Sequence, residues 1–266
     1  MTAPDTFVDI HCHLLPGIDD GARSWHESLE MAEIAVADGV TTVVVTPHQL
    51  GNYSHNDGAL IRQRTCELQR NLDEHDIPLR VLPGADVRID EPMINGLRSG
   101  DILTLADQGR HVLLELPHEL YFALDPVLAS LEAIGIAGIL SHPERNQGLL
   151  RQPQEVLRLV DAGCLMQVTA GSLMGTFGPA SQHMAEWMLD HNAVHFLATD
   201  AHGSKSRRPL LNRAFEFVAQ FADEETAIEI CCRNPAAVVS GRDIVAPKHR
   251  PRKRKTSRWL AWRKAA

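Results

Sequence analysis

The sequence predicts a single α/β domain folded as a barrel close to the (β/α)8 type, with seven strands rather than eight. Seven short runs of apolar and β-branched residues alternate with longer segments of helical character. The runs are continuously apolar, as expected for parallel strands that are covered on both faces. A doubly wound open sheet is the alternative, but the sequence contains neither a G-x-G-x-x-G nor a G-x-x-x-x-G-K-[ST] phosphate loop to support it.

The seven strands follow one another at regular intervals. They are predicted at residues 7–13 (FVDIHCH), 41–48 (TTVVVTPH), 79–87 (LRVLPGADV), 111–117 (HVLLELP), 136–143 (IAGILSHP), 164–170 (CLMQVTA) and 193–202 (AVHFLATDAH). Helices are predicted at about 24–38, 57–75, 125–134, 153–162, 179–191, 209–222 and 224–232. Ser24 and Glu27 fit a capping box at the start of the first helix. Gly39, Gly135 and Gly163 each end a helix just before the next strand.

Length and composition place the chain among cytoplasmic α/β proteins. With 266 residues, 44% of them hydrophobic, the chain is long enough for one large α/β domain or two small ones. No apolar run reaches the roughly 18 residues that span a bilayer, and the N-terminal segment MTAPDTFVDI lacks the basic and apolar regions of a signal peptide. The five cysteines include no C-x-x-C pair, so disulfide bonds are not expected, in agreement with a reducing compartment.

Charge divides the chain into an acidic body and a basic tail. Residues 248–266 hold nine of the 26 Lys and Arg and no acid, which leaves 17 basic against 34 acidic side chains in residues 1–247. The acidic body is predicted as the barrel domain, and its charge disfavours nucleic-acid binding. The tail is expected to be a solvated, disordered end. Its Trp259 and Trp262, set among cations, support the alternative of a weak peripheral contact with the anionic inner membrane or with an acidic partner.

The first strand ends in an H-x-H pair. Because successive side chains of a strand alternate between its faces, His11 and His13 share one face while Cys12 points the other way. Two imidazoles about 6 to 7 Å apart on one face are poorly suited to packing and well suited to holding a cation. The pair therefore predicts a metal site if other strands supply partners.

Metal-competent side chains recur at the ends of six of the seven predicted strands. Together with an aspartate from the first turn they are His11, His13, Asp20, His48, Asp86, Glu115, His142, Asp200 and His202. In a barrel the carboxyl ends of the strands converge on one mouth, where active sites are built. Imidazole and carboxylate donors without thiolates favour Zn, Mn, Fe or Mg. So many donors exceed the needs of one ion, and two or three bridged divalent ions are predicted.

Arginines are predicted near the same mouth. Arg145 lies in SHPERN, and Arg207 and Arg208 lie in DAHGSKSRRP. A guanidinium matches the oxygens of a phosphate group and keeps its charge at any working pH. The combination favours metal-assisted chemistry at a phosphoryl group.

The motifs DIHCH, DDG, TPH, LLELP, SHPERN and TDAH, in this order within residues 7–245, resemble those of the polymerase-and-histidinol-phosphatase (PHP) superfamily. More narrowly, they resemble its metal-dependent protein-tyrosine phosphatases of bacterial capsule and exopolysaccharide synthesis. The resemblance implies a distorted TIM-like (β/α)7 barrel with a trinuclear Mn, Fe or Mg site. Manganese is preferred among these, and cobalt and zinc are alternatives. It also implies hydrolysis of phosphotyrosine on a membrane-associated tyrosine autokinase that regulates polysaccharide synthesis.

The same resemblance assigns ligand roles to the strand-end histidines and acids. In the DDG turn it favours Asp20 over Asp19 as the ligand. It assigns phosphate binding to Arg145 and Arg208, with Arg207 as the alternative to Arg208.

One position departs from the pattern of the family. Relatives usually have Glu in an LPG-x-E motif where this chain reads LPGAD, so that Asp86 stands in the bridging position with a reach shorter by roughly 1.5 Å. Two outcomes are then open: Asp86 bridges two ions because the backbone shifts, or one of the ions binds weakly. Asp90 and Glu91 are alternatives to Asp86 as the bridging acid, but they are less favoured because they lie beyond the predicted strand end.

The predicted mechanism is in-line attack on phosphorus by a metal-bound hydroxide, with charge on the phosphate oxygens stabilised by the cations and arginines. Covalent cysteine-phosphatase chemistry is rejected because the sequence has no C-x5-R motif. Hydrolysis of histidinol phosphate or another small phosphomonoester is the nearest alternative, since it uses the same metals. An amidohydrolase also begins with H-x-H, but many members bridge their metals with a modified Lys where this chain has Glu115. A metal-binding scaffold without turnover is the alternative of another class.

Overall fold

Strands and helices alternate along residues 6–244, the part of the chain that the computed structural model describes. The strands are β1 Phe7–Cys12, β2 Val40–Val45, β3 His48–Gln49, β4 Arg80–Pro83, β5 Asp86–Arg88, β6 His111–Glu115, β7 Ala137–Ser141, β8 Leu165–Thr169 and β9 Phe196–Ala198. The helices are α1 Trp25–Ala37, α2 Gly58–Glu74, α3 Met93–Ser99, α4 Asp125–Glu132, α5 Gln147–Arg151, α6 Gln154–Asp161, α7 Ala170–Leu173, α8 Pro179–Asp190, α9 Asn212–Phe221, α10 Glu224–Ile228 and α11 Asn234–Val239. The predicted basic tail, 248–266, lies outside the described residues. Within them, no helix has both the length and the apolar character needed to cross a membrane.

The strands form two parallel sheets, one in the order β1-β2-β4 and one in the order β3-β5-β6-β7-β8-β9. Two predicted strands are each divided between the sheets. The strand predicted at 41–48 breaks into β2 and β3 at Pro47, which has no N–H to donate to a ladder. The strand predicted at 79–87 breaks into β4 and β5 after Pro83. The Pro47 carbonyl still accepts a hydrogen bond from the Asp86 amide at 3.1 Å, so the two broken strands stay side by side.

The end of the last strand returns to the first. The Asp200 amide donates to the His11 carbonyl at 2.7 Å, the His13 amide donates to the Ala201 carbonyl at 2.9 Å, and Cys12 and Ala201 form a parallel bridge. The predicted α/β fold with seven successive strand positions is thereby confirmed. Its ladder is interrupted between the two sheets rather than continuous, a distortion that follows from the two strand breaks.

The core has an inner and an outer part. Side chains from different strands meet in the inner cluster, among them Ile10, Val44, Leu113, Ile139 and Phe196. A larger outer cluster lies between the strands and the surrounding helices. Burial of this apolar surface supplies the main driving force for the fold.

Most predicted helices are present, with one local correction. The Ser24 hydroxyl caps α1 by accepting from the Glu27 amide at 3.2 Å, as predicted. The second half of the capping box is wrong, because the Glu27 carboxylate accepts from the Arg23 amide at 3.1 Å and from the Arg23 guanidinium. The helix predicted at 224–232 continues from α10 into a π-helical segment, Glu229–Arg233. The sequence-based prediction missed α3, α5, α7 and α11.

Candidate metal centre

Strand alternation places polar side chains directly above the inner core. Leu113 and Leu165 pack in the inner cluster, and the residues two positions later on the same strand faces are Glu115 and Gln167. Ala198 of β9 also packs there, and Asp200 follows it by two residues. At the carboxyl ends of the strands, a layer of acid and amide side chains therefore lies next to the apolar inner cluster.

The first strand reaches this layer through an irregularity. Ile10 packs in the inner cluster, whereas Cys12, two positions later, packs in the outer one. The pairing register with β2 shifts between Asp9 and Cys12, and such shifts re-aim the side chains that follow them. His11 and His13 consequently point into the mouth, and both are buried.

All nine residues predicted as ligands come together. They form four overlapping groups, each with its candidate ligand atoms within 4.8 Å of one another: His13, Asp20, His48 and His202; His11, His142 and Asp200; His11, His13 and Asp86; and His48, Asp86 and Glu115. His11, His13, His48 and Asp86 each belong to two groups. The overlap makes one continuous cluster of donors rather than four separate sites.

Asp86 lies where two groups meet, although its side chain is shorter than the Glu that the family pattern predicts. Its Oδ2 is 3.6 Å from Nε2 of His11 and 3.4 Å from Nδ1 of His48. Within residues 6–244, neither carboxylate oxygen of Asp86 accepts a hydrogen bond of good geometry, because the neighbouring Ser141 hydroxyl donates to the Leu114 carbonyl at 3.0 Å instead. The alternatives, Asp90 and Glu91, are exposed and belong to none of the four groups. Asp86 is thus the acid of this strand that the fold directs into the cluster.

Two imidazoles are held by partners on their far nitrogen. Nδ1 of His11 lies 2.8 Å from Oε1 of Gln167, and Nδ1 of His13 lies 2.7 Å from Oδ2 of Asp19. Because an amide or carboxylate oxygen accepts, each Nδ1 carries the proton and each Nε2 keeps its lone pair. The two Nε2 atoms face each other at 3.2 Å. Two lone pairs that face each other repel, because neither nitrogen carries a proton to donate. A cation bound by both nitrogens would remove this repulsion.

The two aspartates of the first turn have different places. Asp19 is buried and accepts from the backbone amides of Gly21 at 2.9 Å and His48 at 3.1 Å, in addition to His13. Asp20 is 54% exposed, and its Oδ1 lies 3.4 Å from Nε2 of His48. The geometry therefore places Asp20 among the candidate ligands and Asp19 behind one of them.

Burial keeps several imidazoles neutral. It lowers the pKa of His11 to about 3 and that of His13 to about 4, and it also lowers the pKa of His142. Neutral imidazole is the form that binds metal ions. His48 differs: burial alone would lower its pKa, but the hydrogen bond to Asp20 and the charges of nearby acids outweigh this and raise it to about 10.

Buried acids balance these imidazoles. Burial, reinforced by the nearby charge of Glu115, raises the pKa of Asp86 well above its ordinary value. Burial would also raise the pKa of Asp200, but the nearby imidazole of His11 and the positive charges of Arg145 and Arg207 outweigh it and hold that pKa low. The cluster thus contains carboxylates at high desolvation cost that a bound cation would relieve.

Two arginines share one carboxylate oxygen. Arg145 contacts Oδ2 of Asp200, and Nη2 of Arg207 lies 2.6 Å from the same atom. The Phe177 ring lies beside both guanidinium groups, with its centroid 4.3 Å from Cζ of Arg145 and 5.7 Å from Cζ of Arg207. Arg208, the arginine that the sequence favoured over Arg207, is exposed, and no ion pair joins it to any other residue within 6–244. The structure therefore places the alternative, Arg207, at the cluster.

The backbone is strained where it carries these groups. His142, Asp200 and Arg207 have φ values of 36°, 49° and 47°, in the left-handed region that residues other than glycine rarely adopt. Such conformations cost about 1 to 3 kcal/mol each and cluster at functional sites. At all three positions the strained backbone presents a charged side chain or a candidate ligand to the cluster.

Three residues of the site had not been singled out from the sequence. Gln167 orients His11, and Phe177 lies against the two arginines. Tyr53 stacks on His48, with ring centroids 5.3 Å apart and planes within 20°. Of the three, only Gln167 leaves a signal in the sequence, as a lone polar residue within the apolar run CLMQVTA.

Comparison with known proteins identifies relatives along nearly the whole described range. The chain is 37% identical over 202 residues to the tyrosine-protein phosphatase YwqE of Bacillus subtilis, covering 75% of this chain and 79% of that protein. It is 26% identical to the tyrosine-protein phosphatase CpsB of Streptococcus pneumoniae over 238 residues, covering 87% and 98% of the two chains.

Solved structures agree with these sequence matches. A crystal structure from the pair YwqE of Bacillus subtilis and CpsB of Streptococcus pneumoniae, named as metal-dependent tyrosine phosphatases, matches with a TM-score of 0.86 at 31% identity, covering 93% of this chain and 100% of that one. The phosphotriesterase homology protein of Escherichia coli matches at 12% identity with a TM-score of 0.59, which shows likeness of fold alone. Residues 7–240 match the model of the capsular polysaccharide synthesis family CpsB/CapC, and the chain belongs to that family.

Proposed function

We propose that this protein is a metal-dependent phosphomonoester hydrolase that removes phosphate from phosphotyrosine in proteins. The observation that carries the proposal is the single cluster of nine histidine and acid side chains, with two arginines converging on one of its acids. The tyrosine-protein phosphatases YwqE and CpsB, at 37% and 26% identity, support the choice of substrate class.

The donors fit a set of hard or borderline divalent ions. The cluster consists of nitrogen and oxygen donors, and Cys12, between His11 and His13 in the sequence, packs in the outer core. The oxygens of Asp86 and the Nδ1 atom of His48 are buried without a hydrogen bond inside residues 6–244, which is the condition that a bound cation would relieve. We assign ligand roles to all nine residues and expect two or three ions, with manganese preferred.

Bound ions of this kind lower the pKa of water and neutralise charge on phosphate oxygens. The contribution of the protein is to position the phosphate. Arg145 and Arg207 are aligned side by side on Asp200, at the height of the ligand layer. When Asp200 binds a cation, its interaction with the two guanidinium groups weakens. Arg145 and Arg207 can then bind phosphate oxygens without changing their positions.

The open side of the cluster favours a protein substrate over a small one. Asp20 is 54% exposed and Glu115 23% exposed, whereas His11 and Asp86 are fully buried. A phosphotyrosine on the surface of another protein can reach these partly exposed acids without being enclosed in a pocket. Its phenolate, with an ordinary pKa near 10, also leaves more readily than an alkoxide. Histidinol phosphate, the alternative substrate, is a small alkyl phosphate. It has a poorer leaving group and is too small to cover the open side of the cluster.

The biological substrate that we propose is a membrane-associated tyrosine autokinase of polysaccharide synthesis, which would be met at the cytoplasmic side of the inner membrane. The family match to capsular polysaccharide synthesis supports it.

The test compares substrates and metals on the full chain. Protein loaded with Mn²⁺ is expected to hydrolyse a phosphotyrosyl peptide, to lose this activity in EDTA and to regain it when Mn²⁺ is restored. Its kcat/KM for the peptide should exceed that for histidinol phosphate at least about tenfold, since a peptide also covers the open side of the cluster. A faster reaction with histidinol phosphate would support the small-substrate alternative. Absence of hydrolysis with Mn²⁺, Fe²⁺, Co²⁺ and Mg²⁺ would support the scaffold without turnover.

A further inference from the structure

Two large apolar side chains are exposed close to the candidate metal centre. Leu120 is 63% exposed and Phe122 is 39% exposed, and both belong to the loop that follows β6. We call residues 117–122 the β6 lip. Among the described residues, the one other large apolar side chain that is comparably exposed is Phe221, at the end of α9. The lip is therefore an unusual surface, and it lies where the barrel carries its polar cluster.

Hydrogen bonds fix the β6 lip to the segment that carries Arg145. The Asn146 side-chain amide donates to the carbonyls of Pro117 and Leu120, both at 2.9 Å. The Gln147 amide donates to the His118 carbonyl, also at 2.9 Å. Since Asn146 directly follows Arg145, the lip keeps a constant position relative to the arginine that we assign to phosphate binding.

Tyr121, which lies between Leu120 and Phe122 in the lip, packs against the body of the domain, unlike its two neighbours. The Tyr121 hydroxyl lies 3.0 Å from Oε2 of Glu155 and accepts from Nη2 of Arg158 at 3.0 Å. Tyr121 is thereby held against the body, while Leu120 and Phe122, on either side of it, are left at the surface. Leu120 and Phe122 are therefore available to contact an apolar group of a bound partner.

The lip borders the side on which the cluster is open. It begins two residues after Glu115, the partly exposed acid at the end of β6. A phosphotyrosine that places its phosphate at Arg145 would bring the neighbouring residues of its own chain over this loop. We propose that the β6 lip binds apolar residues flanking the phosphotyrosine of a protein substrate, an inference that rests on the proposed function.

A second copy of this chain is a less suitable occupant. A stable interface between proteins buries about 800 Å² on each partner, far more than two side chains present. A short peptide segment needs only a few apolar contacts in addition to its phosphate. The lip would then favour protein substrates without contributing to the chemistry at phosphorus.

The experiment measures a ratio, so that metal loading and the fraction of active protein cancel. The full chain loaded with Mn²⁺ is assayed with p-nitrophenyl phosphate and with a phosphotyrosyl peptide that carries Leu and Val on both sides of the phosphotyrosine. In the double variant Leu120→Ser with Phe122→Ser, the ratio of kcat/KM for the peptide to that for p-nitrophenyl phosphate is expected to fall about tenfold, as expected for the loss of one or two buried apolar contacts. The matched control is Phe221→Ser, whose ratio should change less than twofold.

A second peptide with Gly and Ser flanks completes the design. Its ratio should be equal in the unchanged protein and in the lip variant, because it offers no apolar side chain to lose. An unchanged ratio for the Leu and Val peptide would overturn the inference about the lip and leave the proposed function standing. So would a change in sedimentation from dimer to monomer in the lip variant, which would assign the lip to a second copy. Lack of p-nitrophenyl phosphate hydrolysis by the unchanged protein would instead overturn the proposed function and the inference with it.

Discussion

Oδ2 of Asp19 lies 2.7 Å from Nδ1 of His13 and so fixes which nitrogen of that imidazole faces the cluster. A carboxylate behind a ligating histidine sets its tautomer and increases its basicity, and loss of such a partner typically weakens metal binding 10- to 100-fold. Asp19→Ala is therefore expected to raise the Kd for Mn²⁺ by about this factor, measured by calorimetry on protein stripped of metal. Asp90→Ala, which removes an exposed acid outside the cluster, is the control and should leave the Kd within twofold. Equal values for the two variants would contradict the orienting role of Asp19.

Asp86 is expected to show opposite effects on stability and on metal binding. Its buried carboxylate accepts no hydrogen bond of good geometry within residues 6–244, and burial raises its pKa. Asp86→Asn keeps the shape and removes the ionisable group. The free energy of unfolding of the metal-free protein should rise by about 1 kcal/mol, because the variant no longer buries an ionisable group without a hydrogen bond. Bound metal, counted by elemental analysis, should fall by at least one ion, and kcat/KM should fall at least about 100-fold. A variant that is less stable without metal would contradict this view of Asp86.

Arg207 and Arg208 form a matched pair of neighbours with different environments. Arg207 contacts Asp200 beside Arg145, whereas Arg208 is exposed. Arg207→Ala is expected to lower kcat/KM for phosphotyrosyl peptide about 10- to 100-fold, since a charge-assisted hydrogen bond contributes about 1.5 to 3 kcal/mol. The decrease in kcat/KM caused by Arg208→Ala should be at least fivefold smaller than the decrease caused by Arg207→Ala. The reverse order would support the assignment that the family motif favours.

These two arginines show where sequence-based reasoning reaches its limit. The motif places an arginine pair after TDAH, but the left-handed backbone at Arg207, with φ of 47°, decides which member turns inward. That conformation is not encoded by a residue type such as glycine, so it depends on tertiary context. Phe177 and Tyr53 were missed for a related reason, because they lie in irregular loops without periodicity.

The strand ends were predictable because period-two alternation and barrel geometry act together. Apolar residues such as Leu113 pack inside, and the polar residue two positions later, Glu115, must then face the mouth. The interruption of the sheet was less visible. Pro47 carried a signal within TTVVVTPH, since proline cannot donate to a central ladder, but the same residue also fits a strand end.

Phe177 is expected to position the two arginines. Its ring faces Cζ of Arg145 at 4.3 Å and Cζ of Arg207 at 5.7 Å. A partly buried cation–π contact contributes about 0.5 to 2 kcal/mol, so Phe177→Leu should raise the inhibition constant of inorganic phosphate by about fivefold. Phe177→Tyr keeps the aromatic face and should restore the constant to within twofold. If Leu and Tyr variants bind phosphate equally well, the ring acts only as filling for the loop.

Titration of the buried His195 imidazole is expected to contribute to the pH dependence of stability, independently of the metal centre. His195 is buried before β9, accepts a hydrogen bond from the Met166 amide at 3.0 Å, and burial lowers its pKa to about 4. An unfolded chain protonates histidine below about pH 6.5, so between pH 6.5 and pH 4 the unfolded state binds more protons and the folded state loses stability as the pH falls. At pH 5 this loss amounts to about 2 kcal/mol for one such group.

His195→Gln removes that contribution. The drop in the free energy of unfolding between pH 8 and pH 5, measured in urea at constant metal and salt, should be about 2 kcal/mol smaller in this variant than in the unchanged protein. His183→Gln, which replaces an exposed histidine on α8, is the control and should keep the full drop. Because both variants lose one histidine, a difference between them reports burial rather than composition. An equal drop in His195→Gln and in the unchanged protein would mean that this imidazole titrates normally in the folded state, contrary to its enclosure beneath the last strand.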